Sequence, residues 1–379
     1  MKLLVDGVCF QHAHSGAARV WRSIVPALVA ADQDVLILDR GGLPTFDGAQ
    51  RIPFPAYKDL YTADDSSLIQ RVCDAWRMDV FTSTGYTTPL TTPMFLLVSD
   101  MTAEIYNGDQ THRQQQERSL AISYARRHIC VSPGMRDHLL QHYPGTDRTV
   151  VAHLACDRTV FRPVDPGTVM DFRRSAGLDR RRYIIIQPGD PGRDTSSLIF
   201  EAIAEAGFHE CDILLAEREP GRRTVVGTAL PATVTVKHLC LSDGDLAAAY
   251  SGAAGFIYPS LHEGSDLTVL EALACGCPVV TTLQGAGSAS DACLLIDGLS
   301  RPELVDALRL LGSDQKRQGK RRAGLAHAMA SDPLAMVSAI VRASTELAHL
   351  ATDPEYCRFA STWRALRQIQ SAVDVDVWR

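Results

Sequence analysis

The stretch 258–282, with the sequence YPSLHEGSDLTVLEALACGCPVVTT, constrains the fold more than any other part of the chain. It completes a short apolar run at 255–258, continues into a run at 267–275 that is apolar at all but two positions, and ends in β-branched residues. A glycine and a proline after the second run form an ordinary helix stop. The stretch therefore predicts a strand, a helix buried on most sides and a second strand, as in α/β proteins.

Two carboxylates in this stretch are hard to explain by packing. Glu271 lies within the apolar helix, where a glutamate is rarely buried without a partner, and Glu263 lies eight residues earlier in the loop after the strand. Ligands of open α/β sheets collect outside the carboxyl ends of the strands, and carboxylates accept hydrogen bonds from hydroxyl groups well. The pair predicts a site for a polyhydroxyl ligand. The alternative is a capped surface loop with one salt-bridged glutamate, and spacing alone leaves both open.

The same residues resemble the signature of family-4 retaining glycosyltransferases, which have the GT-B fold. In that signature a glutamate and a glycine, here Glu263 and Gly264, precede the second glutamate, Glu271, and the sequence CGCPVV follows. The resemblance implies an α/β protein of two Rossmann-like domains facing a cleft, with a C-terminal helix that crosses back to the N-terminal domain.

The resemblance also implies individual roles in this stretch. Glu263 would contact the hydroxyl groups of the donor sugar and act as a catalytic residue, whereas Glu271 would hold the ribose of the nucleotide. The remaining donor-binding positions implied here are Gly264, Ser265, Leu267 and Thr268.

The N-terminal segment predicts a strand at 1–5, a helix at 17–31 and a second strand at 35–38. Gly16, just before the helix, would let backbone amides approach a phosphate at the helix N-terminus. The phrase from Asp6 to Leu28 resembles the opening of bacterial polysaccharide-type members of the family. His12 and His14 lie in the loop, where each is either solvated or in contact with ligand.

The strand predicted at 95–98 leads to Asp100, which matches the acid of a His-Asp pair that the family places near the donor sugar and the acceptor. This resemblance implies a catalytic role for Asp100. The helix predicted at 111–128 carries Arg113, Arg118, Arg126 and Arg127. We expect a solvated helix there, and the alternative is a patch for an acceptor phosphate or weak association with a membrane surface.

A second phosphate-binding loop is predicted between the strand at 183–186 and the helix at 198–206. Its glycines free the backbone, and Thr195 or Ser196 can cap the helix whose positive end would face an anion. Arg193 matches the family arginine that clamps the diphosphate, which suits a guanidinium fork, and is also assigned a catalytic role. Asp194 stands where the family has a lysine.

The domain limits are predicted from a proline- and glycine-containing connection near 163–182 and from the helical spacing of the C-terminal tail. They give an acceptor-side N-terminal Rossmann-like domain at 1–165, a nucleotide-sugar-binding domain at 166–350, and a helical tail at 351–379. The tail carries Trp363, Leu366, Ile369 and Val373 at helical spacing and is expected to pack on the first domain.

Composition excludes several classes of protein. The chain has 38 Lys and Arg residues against 44 Asp and Glu residues, a net charge of −6, and no long basic run, which argues against a nucleic-acid partner. No stretch approaches the roughly 18 apolar residues of a membrane span, so a cytoplasmic protein is expected. The ten cysteines lie mostly in apolar contexts, which favours reduced thiols.

Metal binding has two weak indications, and we assign no metal ligand. Cys275 and Cys277 lack a second pair of cysteines. Asp243 and Asp245 form an Asp-x-Asp motif, but Ser242 with Asp245 is interpreted as a capping pair that starts a helix. A nucleoside-diphosphate sugar is expected as a donor substrate, with no resident cofactor.

The leading hypothesis is a retaining, metal-independent glycosyltransferase of the hexosyltransferase type that moves a sugar from a nucleoside-diphosphate sugar to a hydroxyl acceptor. The acceptor would be a glycan, a lipid-linked glycan or a small molecule, in bacterial glycan or glycosylated metabolite biosynthesis. Departures from the family pattern at Ser99, Asp194, Ser265 and Asp266 suggest a catalytically silent sugar-nucleotide-binding subunit as an alternative. A third hypothesis is an epimerase on the same fold, which would require no acceptor.

The loop containing Arg193 and Asp194 generates the first prediction. Replacing Arg193 by Ala should weaken donor binding at least roughly tenfold, or about 1.4 kcal/mol, because the diphosphate loses its guanidinium contact. Replacing Asp194 by Ala should change donor affinity little, because an acid at a helix start can favour the positive end of the helix dipole. Calorimetric titration measures both, and a large loss from the aspartate change with none from the arginine change would place the phosphate elsewhere.

Overall fold

The computed structural model describes residues 1–11, 16–58, 62–105, 113–146, 148–178, 182–187, 196–207, 211–217, 234–261, 267–298 and 300–377. The chain divides into two units. Unit 1 combines Met1–His153 with Pro333–Arg379, and unit 2 is Leu154–Asp332. The domain limits drawn from the sequence stay a prediction.

The strands of both units are short, and most of them are apolar. In chain order they are β1 (Lys2–Asp6), β2 (Asp34–Asp39), β3 (Gln50–Pro53), β4 (Val80–Ser83), β5 (Phe95–Val98), β6 (Arg127–Cys130), β7 (Thr149–Val151), β8 (Arg182–Ile186), β9 (Cys211–Glu217), β10 (Thr235–Cys240), β11 (Gly255–Tyr258), β12 (Val279–Thr282) and β13 (Leu294–Ile296).

Helices separate most of these strands. In chain order they are α1 (Gly16–Ala30), α2 (Thr62–Trp76), α3 (Thr102–Ile105), α4 (Arg113–Tyr124), α5 (Pro133–His142), α6 (Pro166–Ala176), α7 (Ser196–Glu205), α8 (Asp243–Gly252), α9 (Leu267–Ala274), α10 (Leu283–Ala286), α11 (Arg301–Gly312), α12 (Asp314–Ala330), α13 (Pro333–Ala348) and α14 (Pro354–Val377).

Unit 1 is built on parallel strands in two hydrogen-bonded groups, β3-β2-β1-β4 and β5-β6-β7. A parallel bridge between Phe81 of β4 and Met94, just before β5, joins the groups. The chain moves outward from β1 to β2 and β3, and then returns to the other side of β1 with β4. Every residue of β4 and β5 is buried, as expected for a parallel sheet covered on both faces.

Unit 2 contains one parallel sheet in the order β10-β9-β8-β11-β12-β13. Its strand order reverses between β8 and β11, which pair with Ile186 opposite Ile257. Isoleucine and leucine side chains of β8 and β9 form its core together with α7 and α11. The predicted fold class of two Rossmann-like α/β domains is confirmed.

The glycine-containing segment 283–290 is helical. The hydroxyl of Thr282 accepts a hydrogen bond of 3.0 Å from the amide of Gly285 and caps α10, and a 3-10 turn at Gly287–Ala292 follows. A side-chain oxygen at the N-cap satisfies one of the amides that a helix start leaves open, which explains why the chain turns helical despite its glycines.

The C-terminal helix α14 packs on the rest of unit 1, as predicted. Its buried face carries Tyr356, Ala360, Trp363 and Arg367, and the indole of Trp363 donates to the carbonyl of Pro89 at 3.3 Å. The sequence assigned Leu366 and Ile369 to this face, and that detail is wrong, because these side chains are 41% and 63% exposed. Aromatic residues and one arginine, rather than the aliphatic stripe, fix the helix.

A buried ion pair holds α14 to α4. The guanidinium of Arg367 lies 2.9 Å and 3.1 Å from the two carboxylate oxygens of Glu117 and also donates to the hydroxyl of Ser66 on α2. Both charged side chains are almost fully buried. Two parallel N–H···O bonds give such a pair a defined geometry as well as energy.

One helical region, Asp314–Thr352, is long and apolar enough by composition to cross a membrane. It comprises α12, α13 and a short 3-10 turn. The apolar side chains of Met336, Ile340 and Leu347 on α13 are buried inside unit 1. A core helix passes the same compositional test, although only 35% of the most apolar window of this region is buried.

The second prediction concerns the Arg367–Glu117 pair. Replacing Arg367 by Met should lower the free energy of unfolding by about 3–5 kcal/mol, because the buried carboxylate of Glu117 loses its guanidinium partner. Replacing Arg364 by Ala, on the exposed side of the same helix, should change it by less than about 0.5 kcal/mol. Urea denaturation followed by circular dichroism measures both, and equal effects of the two changes would contradict the assigned role of the pair.

Candidate functional site

The site begins at the carboxyl edge of the sheet in unit 2, where the strand order reverses. The amide of Gln187, directly after β8, donates to the carbonyl of Ile257 in β11 at 3.2 Å, so the two strands leave the sheet side by side. The predicted ligand loops at 188–195 and 262–266 follow these two strands. Ligands of doubly wound sheets bind at this position.

Several predicted site residues belong to those two loops. Arg193, Thr195, Glu263, Gly264 and Ser265 lie outside the described residues, as do Asp194 and His12 and His14 of the N-terminal loop. Their assigned roles stay predictions.

The start of the loop that contains Glu263 is fixed by threonines of the neighbouring strand. Thr281 donates from its hydroxyl to the carbonyl of Tyr258 at 2.6 Å, and Thr282 donates to the carbonyl of Ser260. Gly285 allows this close approach, because a Cβ there would lie 2.3 Å from the hydroxyl of Thr281. These two bonds were not predicted from the sequence, although a pair of threonines at the end of an apolar strand indicates them.

The helix α9 follows the second loop and is buried along its whole length. Gly276 ends it with φ of +75°, a conformation that favours glycine, and the amide of Cys277 donates to the carbonyl of Ala272 at 2.8 Å. The predicted helix and its stop are confirmed. Leu267 and Thr268 form its first turn and are 4% and 6% exposed.

Glu271 lies in the middle of α9 and is 1% exposed. The thiols of Cys156 and Cys275 lie close enough to Glu271 to interact with its charge. Burial is the main cause that raises the pKa of Cys156 to about 12, and Glu271 adds to this rise. The pKa of Cys275 is raised by burial, by Cys156 and by Glu271, in that order. A buried carboxylate at the ligand edge of such a sheet is a candidate functional group.

A helix cap and two buried thiols account for the residues that gave weak indications of a metal. Ser242 caps α8 by accepting from the amide of Asp245 at 3.2 Å and also donates to the carboxylate of Asp245 at 2.7 Å, as the capping interpretation predicts. Burial raises the pKa of Cys275 to about 12, and burial also raises the pKa of Cys277 well above its usual value. Metal ligation requires the thiolate, which burial disfavours.

In unit 1, a buried ion network lies at the carboxyl ends of β1 and β2. The guanidinium of Arg40 lies 2.6 Å and 2.8 Å from the two oxygens of Asp6 and 2.9 Å from Asp65 of α2, and Thr87 donates to Asp6. Burial acts to lower the pKa of Arg40, but Asp6 and Asp65 outweigh it and raise the pKa above its usual value. The sequence analysis missed this network, because its members are far apart in the chain.

Gly16 is the first residue of α1, which starts one residue earlier than the helix predicted at 17–31. A Cβ at this position would meet no atom of the described residues within 4 Å. Open space at a helix start is compatible with the predicted approach of a phosphate to the backbone amides.

Asp100 is the second residue after β5 and is exposed. Its carboxylate accepts a hydrogen bond of 2.8 Å from the amide of Thr102 at the start of α3. The predicted strand end is confirmed, and the catalytic role of Asp100 stays a prediction.

The predicted helix at 111–128 ends earlier, at Tyr124 of α4, so Arg126 lies beyond it and Arg127 begins β6. The described arginine side chains, those of Arg118, Arg126 and Arg127, are not a solvated patch, and the side chain of Arg113 lies outside the described residues. Arg118 is 8% exposed and bonds to Glu104, Arg126 stacks on the ring of Phe359 at 3.5 Å, and Arg127 pairs with Glu346 at 2.7 Å. The expectation of a solvated helix is therefore wrong for these positions. Burial of Arg118 acts to lower its pKa, but Tyr86 and Glu104 outweigh it and raise the pKa.

Comparison with known proteins gives a sequence match and a structural match. Residues 218–314 match the family described as glycosyl transferases group 1. The chain is 27% identical over 174 residues to alpha-maltose-1-phosphate synthase of Mycolicibacterium smegmatis, covering 43% of this chain and 45% of that protein. It is 27% identical over 259 residues to D-inositol 3-phosphate glycosyltransferase of Paenarthrobacter aurescens, and this match covers 61% of this chain and 60% of that protein. The matched regions span about half of these relatives.

Among solved structures, Anabaena Alr3699/HepE in complex with UDP and glucose superimposes with a TM-score of 0.68. The match covers 91% of this chain and 100% of that chain at 16% identity. Identity at this level shows the fold alone, which is the GT-B fold expected from the sequence.

Proposed function

We propose that this chain, which belongs to the group 1 glycosyltransferases with the GT-B fold, transfers a hexose from a nucleoside-diphosphate sugar to a hydroxyl acceptor with retention of anomeric configuration. The observation that carries the proposal is the buried carboxylate of Glu271, in the helix that follows β11 at the strand-order reversal of unit 2. The curated relatives are named as a synthase of a sugar phosphate and as a glycosyltransferase, which supports the proposal.

A nucleoside diphosphate suits this edge of unit 2. The carboxylate of Glu271 can accept hydrogen bonds from two neighbouring ribose hydroxyls, and charge-assisted bonds of this kind are roughly twice as strong as neutral ones. Arg193 and backbone amides of its loop would hold the diphosphate. We propose uridine diphosphate as the nucleotide, because Alr3699/HepE of the same fold was solved in complex with UDP and glucose.

The chemistry requires stabilisation of the negative charge that develops on the departing diphosphate. Positioned donors such as the guanidinium of Arg193 and a helix N-terminus act most strongly where charge develops. Glu263 would orient the donor sugar, and Asp100 would lie on the acceptor side. The leaving phosphate is proposed to take the proton of the acceptor hydroxyl, so that no protein base and no metal is needed.

The acceptor is proposed to be a glycan, a lipid-linked glycan or a small molecule in a bacterial biosynthetic reaction. We place this reaction in the cytoplasm. Eight of the ten cysteines are buried as free thiols, which supports a reducing compartment.

The third prediction tests Glu271 as the ribose ligand. Replacing Glu271 by Gln should weaken binding of uridine diphosphate at least roughly tenfold and leave thermal unfolding little changed, since the side-chain volume stays the same. Glu205→Gln is the matched control, because Glu205 lies in unit 2 in an exposed ion pair with Arg301. Calorimetric titration and thermal unfolding of both variants measure the effect.

The control should bind as the unaltered protein does. Equal affinity of the Glu271 variant and the unaltered protein would contradict the assignment of the ribose site. Loss of binding together with loss of the folded state would show instead that Glu271 has a structural role.

A further inference from the structure

The helix α4 carries two neighbouring buried charges that contact different parts of unit 1. Glu117 bonds to Arg367 on α14, whereas Arg118 bonds to Glu104 on α3 and to the backbone of Asp100. Burying two charges is costly, and such pairs are weak evidence for stability alone. The pair formed by Arg118 therefore calls for a reason other than stability.

Arg118 uses the full fork of its guanidinium. Its Nε lies 2.7 Å from one carboxylate oxygen of Glu104, and its Nη2 lies 2.9 Å from the other. The same Nη2 also donates to the carbonyl oxygen of Asp100. A planar, bidentate group fixes orientation in a way that the single point charge of a lysine cannot.

Glu104 is held by other side chains as well as by Arg118. Its carboxylate accepts from the hydroxyl of Tyr143 at 3.1 Å and from the amide of Gln115 at 3.4 Å, and it is 4% exposed. The hydroxyl of Tyr143 also bonds to Ser119 on α4 at 3.0 Å. Glu104 is therefore fixed by hydrogen bonds that do not depend on Arg118.

Arg118 also joins the ends of two adjacent strands. Its guanidinium lies 4.4 Å from the ring centroid of Tyr86, which follows β4, while Asp100 follows β5. Tyr86 has φ of +64°, a conformation that is uncommon for any residue other than glycine. Strained residues persist where their surroundings hold them, and they cluster at functional sites. Both strand ends lie on the carboxyl edge of the sheet, where ligands of such folds bind.

We propose that Arg118 is a positioning residue for Asp100, which it holds through the backbone rather than through the carboxylate. The carboxylate of Asp100 accepts a hydrogen bond from the amide of Thr102, which is two residues further along the chain. The position of this carboxylate therefore depends on the backbone that Arg118 holds. This inference rests on the proposed function, in which Asp100 lies on the acceptor side.

Two matched variants separate this role from mere stability. Arg118→Lys and Arg367→Lys each keep the positive charge and lose a bidentate bond to a glutamate of a buried pair. Both pairs involve α4, but the backbone of Asp100 is bonded only to Arg118 among the described residues. Each variant is compared with the unaltered protein by amide hydrogen exchange over residues 99–105, by donor affinity and by transfer kinetics with a nucleoside-diphosphate sugar.

Arg118→Lys should speed exchange at 99–105 and lower kcat at least tenfold while donor affinity stays within twofold. Arg367→Lys should leave exchange at 99–105 and kcat within twofold of the unaltered protein. The single variant Asp100→Ala should have a lower kcat than the unaltered protein. In the double variant, Asp100→Ala should lower kcat by less than a further threefold relative to Arg118→Lys, because both changes remove the same correctly placed carboxylate. If Arg118→Lys does not fold, Glu104→Gln replaces it, with the same expectations and with Glu117→Gln as control.

Equal exchange and equal kcat in the Arg118 and Arg367 variants would overturn the positioning role while leaving the proposed function intact. Fully additive effects of Asp100→Ala and Arg118→Lys would overturn it as well. Absence of transfer by the unaltered protein would instead contradict the proposed function, and the positioning role with it.

Discussion

The parallel pairing of β8 with β11 is the constraint on which the rest of the site depends. Because β9 and β10 continue on one side of β8 and β11 to β13 on the other, the chain leaves the sheet on opposite faces at this point. The two strand ends then lie side by side, and the loops that carry Arg193 and Glu263 follow them. The helix with Glu271 starts after the second loop. The pairing of β8 with β11 therefore brings together segments that are about seventy residues apart in the chain.

Unit 1 repeats this plan with a different means of fixing the edge. Its strand order also reverses next to β1, but buried charges tie the strand ends to the helices. Arg40 joins the ends of β1 and β2 to α2, and Arg118 joins the ends of β4 and β5 to α4. Both guanidinium groups also lie over aromatic rings, those of Phe54 and Tyr86. Burying these guanidinium groups costs the free energy of their desolvation, and their planar, multiply bonded geometry fixes the orientation of the groups they contact.

Local patterns in the sequence predicted what depends on local physics. The apolar run of α9, its glycine stop and the strand before Asp100 all follow from burial periodicity and helix capping, and each is present. The capping pair of Ser242 and Asp245 is equally local. The sequence context of Glu263 and Glu271 led to the prediction of a polyhydroxyl ligand, and resemblance to a family assigned their individual roles. Both stay predictions.

What the sequence did not predict depends on long-range partners. Leu366 and Ile369 have helical spacing, but spacing does not say which face meets the core, and the face with Trp363 and Arg367 is the one that packs. The burial of Arg118 could not be predicted from a polar helix, because its partner Glu104 lies on another element. The same holds for Arg40 and Asp6, which are 34 residues apart.

The central claim is that this chain transfers a sugar with retention, and the most direct measurement is product analysis by proton NMR. The purified protein is incubated with a panel of nucleoside-diphosphate sugars and with candidate glycan and polyol acceptors. The account predicts release of nucleoside diphosphate in step with a new glycoside that has the anomeric configuration of the donor. Donor binding without release of diphosphate, an epimerised donor sugar without a glycoside, or a glycoside of inverted configuration would contradict it.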